Sequence, residues 1–189
     1  MSPFEALGAV LILVNVWLVA RRSMWNYAFG IAGVLLSGWV FYGAKLYSDM
    51  LLQGFFFVLQ FYGWWEWSRS QATSGDVVVE RLSRPTRLAL AGGTLVAIWL
   101  WGSFMHHMTD AALPWWDAAV LVISVVAQIL QSVRKVENWA LWIVANILQI
   151  GLYTAKHLWI FTGLYVILLA LALWGLTTWQ RAGRAEALA

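Results

Sequence analysis

No cysteine occurs among the 189 residues, which excludes both a disulfide framework and a thiolate metal site. Charge is almost as scarce. Asp, Glu, Lys and Arg make up 11% of the chain, against about a quarter in soluble domains, so a soluble fold of this size would have too little polar surface to meet water. The net charge of +3 comes without any basic run of the kind that binds nucleic acid. Also missing are a Gly-rich phosphate loop with its Lys, a Ser elbow and a His-Glu-x-x-His helix, so neither ATP-driven pumping nor intramembrane hydrolysis has visible machinery. His106 and His107 are adjacent, near Asp110, and sequence neighbours do not share a helical face; His157 stands alone. The expectation is a protein with no metal, no cofactor and no enzymatic activity.

What the chain has instead is 62% hydrophobic residues, fifteen of them Trp, arranged in apolar stretches. The stretches run over Phe4–Ala20, Met24–Gly43, Met50–Trp67, Leu88–Met105, Trp115–Val133, Trp139–Ala155 and Leu158–Trp179. At about 1.5 Å per residue, each crosses or nearly crosses a hydrocarbon layer of roughly 30 Å. Runs such as ALGAVLILVNVWLVA do not alternate, as barrel strands must. The fold class is therefore all-α, a polytopic membrane protein with seven transmembrane helices. The first apolar run lacks a basic flank before it and has Glu5 there instead, so it reads as a span, not a secretory signal.

Ten of the twelve basic residues (Arg21, Arg22, Arg69, Arg81, Arg84, Arg87, Arg134, Lys135, Arg181 and Arg184) follow odd-numbered spans, and only Lys45 and Lys156 follow even ones. Basic loops stay in the cytoplasm. This places the N-terminus outside and the C-terminus in the cytoplasm. No span carries a carboxylate near its centre, since Asp49, Glu66, Asp117 and Glu137 lie at or close to span ends, so no proton relay is expected.

Sliding the chain by about 113 residues superimposes Arg21-Arg22 on Arg134-Lys135, Asn15 on Gln128, Trp25 on Trp139, Tyr42 on Tyr153, and Gly63 with Trp67 on Gly175 with Trp179. Spans one to three thus map onto five to seven, and an odd connector leaves both copies the same way up in the membrane. The expected organisation is a three-helix repeat at 1–67, a cytoplasmic loop and linker helix at 68–105, and a second three-helix repeat at 106–189. Ser68 to Arg87 reads as a polar, mobile connector.

Polar side chains inside spans must face protein or a cavity. In span six, Trp139, Trp142, Asn146, Gln149 and Tyr153 recur at steps of three and four, one helical stripe. Span three repeats this with Gln53, Gln60, Trp64 and Trp67, and span five with Asp117, Ser124, Gln128 and Gln131. Span two offers Asn26, Gly30, Gly33 and Ser37, a small-residue face suited to close helix packing. Trp25, Trp67, Trp115, Trp116 and Trp179, at span ends, suit the interfacial aromatic belt. Trp142 and Asn146 are too deep for a belt. An aromatic face beside an amide can stack on a flat ring and hydrogen-bond its edge, which a site for an aromatic, amide-bearing or nucleoside-like solute requires.

The runs Trp25-Asn26-Tyr27-x-Phe29-Gly30, Leu46-Tyr47-x-Asp49, Gln60-Phe61-Tyr62-Gly63-Trp64-Trp65-x-Trp67, Lys135-x-Glu137-Asn138-Trp139-x-x-Trp142-x-x-x-Asn146 and Gly151-Leu152-Tyr153 together resemble the PnuC-type vitamin transporters. The resemblance implies a three-plus-one-plus-three arrangement like that of the SWEET sugar carriers, assembly as a homotrimer, and a bacterial inner-membrane location. It implies gradient-driven uniport of nicotinamide riboside, with a cytoplasmic kinase trapping the solute; relatives move thiamine, riboflavin or deoxynucleosides. Many members carry an additional N-terminal helix, which the sequence does not show. The family's binding residues carry over onto Trp142 and Asn146, with Gln60, Trp64 and Gln149 as neighbours. Trp139, Asn26 and Gln128 complete the candidate substrate-binding set. A sugar facilitator is the rival within the same fold, and it would require a site richer in hydroxyl-directed groups and poorer in Trp.

Overall fold

The computed structural model describes residues 3–43, 47–109, 113–155 and 157–186. Lys45, Lys156 and Asp110 lie outside the described residues, so the lysines' side of the membrane and the neighbour of the histidine pair have no structural counterpart here. The described chain is helical, with no strand: α1 (Pro3–Ala20), α2 (Asn26–Gly43), α3 (Tyr47–Ser74), α4 (Arg84–Met108), α5 (Pro114–Ser132), α6 (Asn138–Ala155) and α7 (Trp159–Glu186). By length and composition α4, α5 and α7 can each cross a membrane, and α1 and α2 contain shorter apolar stretches. Trp25, Trp39, Leu88 and Trp99 stand on the outside, a surface that suits lipid and not water.

Every expected span coincides with a helix, but the connector after span three is much shorter than its polarity suggests. Ser68–Ser74 contain no Gly or Pro, so α3 continues through them; Gly75, at φ 78°, ends it. The Ser83 hydroxyl caps the next helix by accepting from the Thr86 N–H at 3.3 Å, with Pro85 in the first turn where no N–H is needed. Only residues 75–83 remain outside helices.

That segment is tied down. Val77 and Val79 are buried beside Trp67 and Trp179. Arg22 donates to the Val77 carbonyl at 2.8 Å, and Arg134 Nε donates to the Val78 carbonyl at 3.1 Å. Arg134 also reaches the Glu66 carbonyl at 2.7 Å and its carboxylate at 3.0 Å. The Glu80 N–H donates to the Arg134 carbonyl, the Val136 N–H donates to the Glu80 carbonyl, and Lys135 pairs with the Glu80 carboxylate. Glu137 accepts from the Leu82 N–H and pairs with Arg87 at 2.8 Å. The expected mobile connector is thus a strap laid across two helix ends.

Those ends share one construction. After α1, α5 and α6, residues Arg22, Arg134 and His157 adopt φ of 56°, 57° and 56°. Each following residue donates back to the carbonyl five positions earlier: Ser23 to Leu18, Lys135 to Leu130, Leu158 to Tyr153. This is the Schellman arrangement, normally built on Gly. At the first two turns the residue is Arg, which accepts the backbone cost and uses its guanidinium to hold the strap. Asn26 and Asn138 then brace the turns, each donating from Nδ2 to the carbonyl three residues back, at 2.7 and 2.6 Å.

Helix α1 packs on α2 and α7; α5 packs on α6, α3 and α4; α2 pairs with α3 and α6 with α7. Among the described helices α4 packs on α5 alone. At the basic end, the end bearing Arg22 and Arg134, the core is aromatic. Tyr27 meets Trp67 edge-on (5.4 Å, 89°), Trp67 meets Trp179 (5.7 Å), and Trp179 meets Trp139 edge-on (5.5 Å, 88°). Trp67 and Trp179, expected in the interfacial belt, are both 0% exposed. Each indole N–H donates to a helix-end carbonyl at 3.1 Å, Trp67 to Gln131 and Trp179 to Val19. The last turn of a helix leaves carbonyls without an intrahelical partner, which gives a buried indole its acceptor.

Candidate functional site

Immediately beside this aromatic core lies a cavity of about 180 Å³ among α1, α5, α6 and α7. Helix α6 supplies Trp139, Trp142 and Asn146, three residues of the stripe seen in the sequence. Asn146 is the ninth residue of that eighteen-residue helix, so the cavity reaches its midpoint. Helix α5 adds Gln128 and Gln131, α1 adds Ile12, Asn15 and Val16, and α7 adds Tyr165, Leu168 and Ala172.

The polar groups are arranged unequally. Trp142 Nε1 donates to Gln131 Oε1 at 3.0 Å, fixing the indole. Asn15 donates to the Asn26 carbonyl at 2.7 Å. The buried Trp139 N–H has no partner among the described residues, a costly state. Asn146 and Gln128, both buried, bring amides that can donate and accept. The lining thus combines three aromatic rings and four amides with no carboxylate and no cation, groups able to stack on a flat ring and hydrogen-bond a polar edge.

Of the expected site residues, the cavity therefore gathers Trp142, Asn146, Trp139 and Gln128. It does not gather the others. Gln60 is buried with its amide lying over Gly30, where a Cβ would come within 2.6 Å of Nε2; its Oε1 has no partner among the described residues. Trp64 is 45% exposed and stacks parallel on Tyr27 at 6.4 Å. Asn26 is fully buried and spends its Nδ2 on the turn, touching the cavity only through its carbonyl on Asn15. Gln149 sits one turn beyond Asn146, half-buried, with Oε1 unpaired among the described residues, and does not line the cavity. Gln131, Asn15 and Tyr165 are the polar lining residues absent from the expected set. Gln131 was visible in the span-five stripe; Tyr165 is a lone polar residue in an aliphatic run and gives no periodic signal.

Residues 2–181 match the nicotinamide mononucleotide transporter family. The nicotinamide riboside transporter PnuC of Escherichia coli is 29% identical, over 97% of this chain and 87% of the relative. That of Neisseria mucosa is 31% identical, over 95% of this chain and 73% of the relative. The riboflavin/roseoflavin transporter RibM of Streptomyces davaonensis is 30% identical, over 96% of this chain and 86% of the relative. A crystal structure of the vitamin B3 transporter PnuC superimposes with a TM-score of 0.79 and 28% identity, over 96% of this chain and 82% of that one. With a family match over nearly its whole length, and a solved relative that shares its fold, the chain belongs to the nicotinamide mononucleotide transporter family of membrane transporters.

Proposed function

We propose that this protein is a uniporter for nicotinamide riboside, with Trp142 stacking on the pyridinium ring and Asn146 holding its carboxamide. The observation that carries the reading is the cavity itself, which brings that indole and that amide together at the midpoint of α6. Indole faces attract a desolvated cationic ring, and no lining carboxylate is needed to offset its charge. Riboflavin is the second reading, favoured by the similarity to RibM. At about 180 Å³ the cavity is below the roughly 300–1,000 Å³ usual for drug-sized ligands, which favours the smaller solute over a tricyclic one. Direction comes from the solute gradient, and a cytoplasmic kinase keeps the gradient inward by phosphorylating what enters.

Transport by rocking of two three-helix repeats about the cavity is part of the same proposal. The positive φ shared by Arg22 and Arg134 moves the register from the expected shift of about 113, which paired Arg21 with Arg134 and Trp25 with Trp139, to one of 112, which carries Arg22 onto Arg134, Asn26 onto Asn138, Tyr27 onto Trp139, Gly63 onto Gly175 and Trp67 onto Trp179. The same shift carries the contact of Trp179 with Val19 onto that of Trp67 with Gln131, in the reverse order of helices, and the pairing of α1 with α7 onto that of α5 with α3. These equivalences support a pseudo-twofold axis through the Trp67–Trp179 contact, with α4 as linker. The basic turns and strap would face the cytoplasm. Homotrimeric assembly rests on the family resemblance alone.

The test is calorimetry of the purified protein against nicotinamide riboside, riboflavin, thiamine, deoxynucleosides and hexoses, repeated on Trp142→Ala and Asn146→Ala. Each variant should weaken nicotinamide riboside by one to two orders of magnitude, about 1.4–2.7 kcal/mol, while the ligand-free protein keeps its melting temperature. Lower melting with unchanged affinity per folded molecule would return both residues to packing roles.

A further inference from the structure

Gln131 makes two contacts with two different parts of its structure. Its backbone carbonyl, in the last turn of α5, accepts from Trp67 Nε1 of α3 at 3.1 Å, as well as from the Arg134 N–H. Its side-chain Oε1 accepts from Trp142 Nε1 of α6 at 3.0 Å. The first contact needs no particular side chain. Val19 does the same for Trp179 at the equivalent end of α1, with a carbonyl alone. An amide buried in a membrane bundle is costly unless it is hydrogen-bonded, so the contact with α3 does not explain why Gln stands at this position. The contact with Trp142 does. An indole N–H can only donate, which fixes the Gln131 amide oxygen on the side of Trp142.

We infer that Gln131 is a positioning residue, which sets the orientation of the Trp142 indole in the cavity and, through its carbonyl, couples that orientation to Trp67 on α3. Its effect on solute binding rests on the proposed role of Trp142. Its effect on the indole does not. The two can therefore be measured separately.

Gln131→Met keeps the side-chain volume and the backbone carbonyl while removing the acceptor. In protein labelled with 5-fluorotryptophan, the ¹⁹F resonance that vanishes in Trp142→Phe identifies Trp142, and the one that vanishes in Trp67→Phe identifies Trp67. In Gln131→Met the Trp142 resonance should move, with melting of the apo protein little changed. Nicotinamide riboside binding should weaken about three- to tenfold, the range expected for one lost hydrogen bond. In the Trp142→Phe background, which keeps an aromatic face but has no N–H, the same substitution should change affinity by less than about twofold. An unmoved Trp142 resonance would overturn the inference. So would an equal affinity loss in both backgrounds, which would make Gln131 an independent contact. Should the wild type bind no nicotinamide riboside, the proposed function fails, and the resonance alone decides the role of Gln131.

Discussion

Gly175 on α7 is where the packing and the candidate site can be tested with one methyl group. A Cβ built there would lie 2.6 Å from two ring carbons of Trp139 and 2.7 Å from a third. Comfortable carbon contacts are about 3.5–4.0 Å, so the ring must retreat by roughly 1 Å. Retreat is blocked on one side. Trp139 is 1% exposed and is backed edge-on by Trp179, which rests in turn on Trp67. What yields is the cavity wall that Trp139 forms. Overpacking of this kind costs about 1–3 kcal/mol, offset by the roughly 0.8–1 kcal/mol that Ala gains over Gly in a helix, so a net loss of up to about 2 kcal/mol is expected. Gly163 on the same helix has no atom within 4 Å of its virtual Cβ, and Gly163→Ala should be neutral or stabilising. Melting curves of both variants in detergent, with and without nicotinamide riboside, measure the two consequences together: Gly175→Ala lowers apo stability and also weakens solute binding per folded molecule. A second change, Trp139→Phe, should restore part of the stability by giving the methyl room. If Gly175→Ala behaves like Gly163→Ala in both measurements, the close approach of α7 to Trp139 is not as described.

The strap gives further predictions. Arg134→Ala removes a mostly buried guanidinium (13% exposed) from Glu66 and from the Val78 carbonyl, and should cost about 2–3 kcal/mol and open residues 75–83 to proteolysis; Arg134→Lys should recover only part, since an ammonium cannot span both partners. The hydrogen bond from Lys135, aided by the charges of Lys135 and Arg134, holds the Glu80 carboxyl below its ordinary value of 4.5. A depressed folded value means that the stabilisation is complete above the ordinary carboxylate range and is lost as pH falls through the lowered value, so exchange of the Val136 amide, corrected for its intrinsic rate, should speed up on acidification and the effect should shrink in high salt. A tag at the N-terminus should be reached from outside the cell and one at the C-terminus only from the cytoplasm; the reverse pattern would invert the placing of the strap.

Much of this was legible in the sequence because hydrocarbon imposes a simple code. An apolar run of membrane length has one stable solution, and all seven such runs are helices. Polar helix ends escape that code: Ser68–Ser74 read as connector by hydropathy but carry nothing that stops a helix. Trp67 and Trp179 were misplaced for a related reason, since a Trp at a span end has the same sequence signature whether it faces headgroups or donates to a carbonyl inside the bundle. At the site, the step of three and four in span six was enough to put Trp139, Trp142 and Asn146 on one face. The equivalent stripe in span three was not, because Gln60 is absorbed over Gly30 and Trp64 against Tyr27. Tyr165 and Asn15 reach the cavity from helices where they have no periodic companions, and only the packing of α7 against α6 and of α1 against α7 reveals them.

The central claim, a gradient-driven uniporter for nicotinamide riboside, is tested most directly by uptake of the labelled solute into liposomes containing only the purified protein. With no kinase and no ion gradient, uptake should be saturable, stop when internal and external concentrations are equal, and be lost in Trp142→Ala. An imposed proton or sodium gradient should leave that endpoint unchanged, as expected for spans without a central carboxylate. Accumulation of unmodified solute above the external concentration under either gradient, or no uptake of nicotinamide riboside beside uptake of riboflavin, would contradict the account.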